Sequence, residues 1–148
     1  MIKEKEVVWG PTKEYTFPAL YRLKDLKWEK GTGTFEGHEI AIVSENRKTG
    51  EIALFLKVSP HPHDMRLHYH TNTSHSIILD GTVTAGDVNG NIVEGKKGDY
   101  FRCPAKLPHT GSGSKEGCEI FMWTEPTKKN LKGQYSGVFD TVYLKPKK

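Results

Sequence analysis

Arg66-Leu67-His68-Tyr69-His70-Thr71-Asn72-Thr73-Ser74-His75-Ser76-Ile77-Ile78-Leu79-Asp80-Gly81 is the stretch around which the chain is organised. It packs three histidines and a turn signal into two short strand-like segments. His68 and His70 are two positions apart, and because side chains alternate faces along a strand, both imidazoles point to one side. A pair of neutral imidazoles on one rigid strand supplies half of a typical transition-metal site. An isolated HxH is more often surface chemistry than a ligand pair, so the tripeptide needs support from elsewhere. That support lies downstream, where the segment Gly98 to His109, GDYFRCPAKLPH, ends a glycine-to-proline strand pattern on a further histidine.

Working outward, 148 residues fit one domain with a substantial core. Fifteen glycines, eight prolines and 10% aromatics, with little sustained helical period, favour short strands joined by turns, hence an all-β fold. No apolar run approaches the ~20 residues that span a bilayer, and the opening MIKEKEVVWG lacks the apolar centre of a signal peptide. A cytoplasmic protein without membrane contact is therefore expected. Cys103 and Cys118 make no disulfide scaffold and are read as reduced and mostly buried. A net charge of +4 invites a nucleic-acid reading, but the lysines are scattered among acids and the densest basic run is the terminal Lys145-Pro146-Lys147-Lys148. Nucleic acid is set aside as a partner. An anionic small molecule makes better use of mild basicity.

Residues 1–35 read as an N-terminal arm packing on a barrel that occupies 36–148. Trp9, Tyr15, Phe17, Tyr21 and Trp28 supply the arm with aromatics, and Ala19 to Lys30 is compatible with a short helix. Glu39 to Val43 and Glu51 to Val58 flank a turn at Arg47 to Gly50, the pattern of a hairpin. His61 and His63 sit between prolines and are expected to be loop histidines exposed to solvent. Asp80-Gly81 and Asn89-Gly90 are turn signals, and strands recurring about every ten residues indicate a sandwich or barrel.

These residues resemble the two motifs of the cupins, small jelly-roll β-barrels that often hold a divalent metal. The first motif, HxH followed after three or four residues by glutamate and then a glycine turn, is similar to His68, His70, Ser74-His75 and Gly81. The second is matched by Gly98, Pro104 and His109, with Lys106 in the place of a glycine. The likeness covers roughly Leu54 to Trp123 and implies a single-domain cupin-like β-barrel of undefined activity, with a metal held by His68, His70, His109 and a fourth residue. The expected glutamate is missing. Spacing back from Gly81 places Ser74 there, whereas alternation with Ile77 and Leu79 places His75 there; histidine is the better ligand, so His75 is the preferred fourth residue. Iron, manganese, nickel and zinc all suit imidazole donors. Imidazole in place of carboxylate raises the charge of the site by one and favours an anionic ligand.

The resemblance implies a metal-dependent enzyme, a dioxygenase or a lyase or isomerase, acting on a small molecule; the alternative is a non-enzymatic binding or sensing module of the same fold. No catalytic acid or base is assigned. Tyr69 points away from the ligand pair, and Cys103 is read as a structural thiol. If the backbone at Lys106 is left-handed, its Cβ costs ~1–2 kcal/mol; a reach toward an anion and a surface accident are the two readings, the second being simpler. A homodimer is expected, because folds of this kind cover an edge strand or barrel face with a second subunit.

Overall fold

The computed structural model describes residues 21–129, 131–135 and 137–146. Among the described residues ten strands run in order: β1 (Glu29–Lys30), β2 (Glu39–Asn46), β3 (Glu51–Val58), β4 (His68–His70), β5 (Ser74–Gly86), β6 (Ile92–Lys96), β7 (Tyr100–Cys103), β8 (Thr110–Gly113), β9 (Cys118–Thr124) and β10 (Thr141–Tyr143). All pairings are antiparallel. The main sheet runs β1-β2-β3-β9-β5-β6, with β7 and β8 also on β5, and β4 pairs with β10 in a second, two-stranded sheet. This is a jelly-roll β fold.

Strict alternation builds the core. Along β3, Leu54, Leu56 and Val58 are buried, and their cross-strand partners on β9 are Met122, Ile120 and Cys118. Ile40 of β2 and Ile78 of β5 extend the same layer, and Phe101 and Phe139 pack against it. Burying a leucine or isoleucine so completely contributes about 1.5–3 kcal/mol each, so this inner face holds the barrel together. Both cysteines are free, Cys118 in that layer and Cys103 half-buried.

β5 joins the two ends of the barrel. Its first residues pair with β7 and β9, its last with β6 and β8. Asp80-Gly81, a turn signal in the sequence, does not end the strand; the register slips between Ile78 and Asp80 and the strand continues to Gly86. Gly81 has φ 71°, and a Cβ there would lie 2.2 Å from the Gly117 carbonyl oxygen. The glycine thus bends a continuous strand between its half paired with β7 and β9 and its half paired with β6 and β8, as a bulge does.

The first twenty residues of the expected arm lie outside the described residues. From Tyr21 on, the expected helix over Ala19 to Lys30 is replaced by a single 3-10 turn, Leu23–Asp25, followed by extended chain at Leu26. No side chain caps that turn, and β1 pairs with the edge of β2 instead. The segment is pinned by the Tyr21 hydroxyl, which donates to the Val43 carbonyl at 3.1 Å where β2 bulges, and by Lys57 Nζ over the Trp28 ring at 4.0 Å. No helix among the described residues is long and apolar enough to cross a membrane.

Candidate metal centre

β4 carries His68 and His70 on one face and is held on both sides. β10 pairs Thr141 with His70 and Tyr143 with His68. On the other side His68 and His109 exchange both backbone hydrogen bonds at 2.9 Å. The three imidazoles converge, with ring centroids 4.3 to 5.1 Å apart and a candidate ligand nitrogen from each within 4.8 Å of the others.

The partners of the other ring nitrogens assign the tautomers. His68 Nδ1 lies 3.1 Å from the Arg66 carbonyl and His109 Nδ1 lies 2.8 Å from the Leu107 carbonyl; a carbonyl only accepts, so both Nδ1 atoms carry the proton. His70 Nδ1 is 3.1 Å from Thr141 Oγ1, whose own hydrogen goes to Thr34 Oγ1 at 3.1 Å, so His70 Nδ1 is again the donor. Each Nε2 is thereby left unprotonated, as in a ring held for metal ligation, and that of His109 has the Cys103 sulfur 3.8 Å away.

Burial, then the neighbouring His109 and His68, pushes His70 down to about 3, and burial first also lowers His68. Both are neutral at physiological pH. Three imidazole donors with fixed tautomers fit a divalent transition ion and leave positions for a small molecule.

His75, the preferred fourth residue, is not brought to this cluster. It faces outward from β5, its ring lying flat on Trp123 at 5.1 Å and 10°. Its Nε2 is 2.8 Å from Glu125 Oε2 and its Nδ1 bonds the Tyr100 hydroxyl, so both nitrogens are engaged there. Ser74 is the residue that turns inward: it is 7% exposed and stands opposite Cys103, whose sulfur lies 3.7 Å from His109 Nδ1. The place expected for an acid therefore holds a neutral hydroxyl.

His61 and His63 are half-buried rather than exposed. His61 sets its ring nitrogens against the Ser59 and Ser112 carbonyls at 2.8 and 3.1 Å, and His63 sets its own against Thr84 and Thr110 hydroxyls at 2.7 and 2.8 Å. They line an open cavity of about 480 Å³ with Glu94 and Lys115, apart from the triad.

The sequence did not reveal the triad's C-terminal neighbours. Phe139 stacks on His70 at 5.0 Å, Tyr143 lies 5.6 Å from His68, and Arg66 sits 4.6 Å over the Tyr143 ring. Cys103 is a thiol beside the triad, but burial pushes it up to about 11.

The family model of the ChrR cupin-like domain matches residues 17–128. None of the curated proteins matches the chain. Among solved structures, an RmlC-like cupin from Shewanella frigidimarina is similar at 18% identity and a TM-score of 0.57, over 76% of this chain and 94% of that one. A candidate dioxygenase from Nostoc punctiforme is similar at 17% identity and a TM-score of 0.63, over 84% of this chain and 39% of that one. Oxalate decarboxylase from Bacillus subtilis is similar at 17% identity and a TM-score of 0.51, over 84% of this chain and 31% of that one. At such identities the likeness is one of fold.

Proposed function

Because the chain belongs to the family of ChrR cupin-like domains, we propose that it is a metal-dependent enzyme acting on a small molecule in the barrel, with His68, His70 and His109 holding a divalent transition ion. The observation that carries this reading is the convergence of three imidazoles whose Nδ1 atoms are all tied to oxygen, which leaves their Nε2 atoms unprotonated. The ion supplies Lewis-acid or redox chemistry when bound. The chain's own residues fix the donors, and Phe139 and Tyr143 supply an aromatic wall beside them.

The lining favours a dioxygenase over a lyase or isomerase. Proton abstraction from carbon needs a base poised near neutrality, and the ionisable side chain beside His109 is a thiol that stays protonated well above that range. Likeness of fold to a candidate dioxygenase is compatible with this choice. The same lining supports the second reading, a module that binds or senses a ligand without turnover.

Metal analysis of the purified and reconstituted protein tests the proposal. About one equivalent of iron, manganese, nickel or zinc is expected in the wild type and in His75→Ala, and little in His68→Ala, His70→Ala or His109→Ala. Less than about a tenth of an equivalent in the reconstituted wild type refutes it. Oxygen uptake with panels of aromatic, sugar and organic-acid compounds then separates enzyme from binder. We also assign a homodimer to the outward aromatic strip of Phe121, Trp123 and Tyr100, of which Tyr100 is 52% exposed; a monomer by sedimentation velocity overturns that part.

A further inference from the structure

The turn between β7 and β8 holds the one non-glycine residue with positive φ among the described residues, Lys106 at 63°. A Cβ in this region costs ~1–2 kcal/mol relative to glycine, which adopts it freely. The turn cannot relax away from it, because its backbone is tethered to the triad strand and the loop after it. Lys106 N–H donates to the His70 carbonyl at 2.8 Å, and Leu107 N–H to Pro104 at 3.2 Å. Ala105 N–H donates to Thr73 Oγ1 at 3.0 Å. Backbone strain of this kind clusters where a side chain is needed for function.

The electrostatics of the triad give that side chain a task. The three donors are imidazoles, which bring no negative charge, and the residue facing inward where an acid was expected is Ser74. Asp64 is the acid that acts on His68, and it is committed to Arg66 by hydrogen bonds of 2.7 to 3.1 Å. A divalent ion here would keep its full charge, to be balanced by whatever else enters the site. Lys106 is exposed, its main chain is one hydrogen bond from His70, and its ammonium has no hydrogen-bond or ion-pair partner among the described residues. A cation beside a dication is repulsive unless an anion lies between them.

We infer that Lys106 is a specificity residue of the metal site, and that the small molecule bound there carries a carboxylate shared between the ion and the Lys106 ammonium. This rests on the metal-site reading above and adds the charge of the ligand and the residue that selects it. Lysine suits the task because its ammonium is a compact charge on a flexible stem that reaches from a fixed backbone.

Calorimetry with manganese-loaded protein and three probes, acetate, malonate and benzoate, tests it. The tightest of the three is expected to weaken about tenfold or more in Lys106→Met and Lys106→Gly and to stay within about threefold in Lys106→Arg. Manganese alone should bind both uncharged variants no more weakly than wild type, since a repelling cation has been removed. Lys106→Gly should also melt higher than wild type, which shows that it folds and that the strain is released. Probe affinities within about twofold of wild type in both uncharged variants overturn the inference, as does a manganese-loaded wild type that binds none of the probes. A wild type that binds no metal at all sinks the metal-site reading instead.

Discussion

Thr141→Val isolates the one side chain that fixes a triad tautomer. His68 and His109 give their Nδ1 protons to backbone carbonyls, which substitution does not remove, whereas His70 gives its own to the Thr141 hydroxyl at 3.1 Å. Valine keeps the branched shape and the β10 pairing but has no oxygen, so His70 loses that acceptor and Thr34 loses a donor at 3.1 Å. Removing an outer partner of a metal-ligating histidine typically costs 10–100-fold in metal affinity, about 1.4–2.8 kcal/mol. The Asp140 backbone also hydrogen-bonds His70. The ring therefore keeps one acceptor, and the loss should fall near the lower bound, about tenfold.

Competition between the protein and a chelator for zinc or manganese measures the change, with Thr141→Ser expected to stay near wild type because it retains the hydroxyl. Long-range nitrogen–proton correlation spectra of the metal-free protein read the His70 tautomer directly, which a general loosening of β10 would leave unchanged. Thermal stability should fall only by the worth of a neutral hydrogen bond, about 0.5–1.5 kcal/mol. Metal affinity within about twofold of wild type, together with an unchanged Nδ1–H tautomer, refutes the assignment of Thr141.

Metal-free protein should lose stability in acid. His70 takes up its proton near 6.5 when unfolded and only at about 3 when folded, so the unfolded state binds more protons between those values and stability falls as pH drops below about 6.5, by up to about 1.4 kcal/mol per unit; denaturant titrations that give a flat profile from about pH 7 to 4 contradict this. Gly81→Ala should lower stability by about 2 kcal/mol or more, from a positive φ and a Cβ that would lie 2.2 Å from the Gly117 carbonyl oxygen, and an unchanged melting temperature would show that β5 bends some other way. Burial raises Cys118 as well as Cys103, so both thiols should resist iodoacetamide at about pH 8 and react in denaturant; rapid alkylation of folded Cys103 would show its thiol to be more acidic than its surroundings imply.

Much of the fold is legible because β3 and β9 alternate cleanly. Leu54, Leu56 and Val58 on one strand and Cys118, Ile120 and Met122 on the other need only a period of two to be placed inside. The HxH pair is legible for the same reason. His109 is a different case: its bridge to His68 spans the whole of β5 to β7, and only the glycine and proline spacing before it signals that the chain returns. β10 gave no sign at all. It is three residues long, too short to show a period, and its pairing with β4 joins positions 71 residues apart.

The choice between Ser74 and His75 shows where parity fails. Ile77, Ile78 and Leu79 are three consecutive apolar residues, so either phase of the alternation buries hydrophobic side chains, and the phase that includes Ile77 and Leu79 points His75 inward. In the structure Ile77 is 36% exposed and Ile78 is 1% exposed, and the slip between Ile78 and Asp80 changes the phase just beyond them. A one-residue change of phase turns every side chain of the segment to the opposite face. It turns Ser74 toward His109's neighbour Cys103 and sends His75 to Glu125, Tyr100 and Trp123. The charge of the metal centre is thereby set by a bulge: with a neutral serine inside, the triad contributes no anion, and the balancing negative charge has to arrive with the ligand.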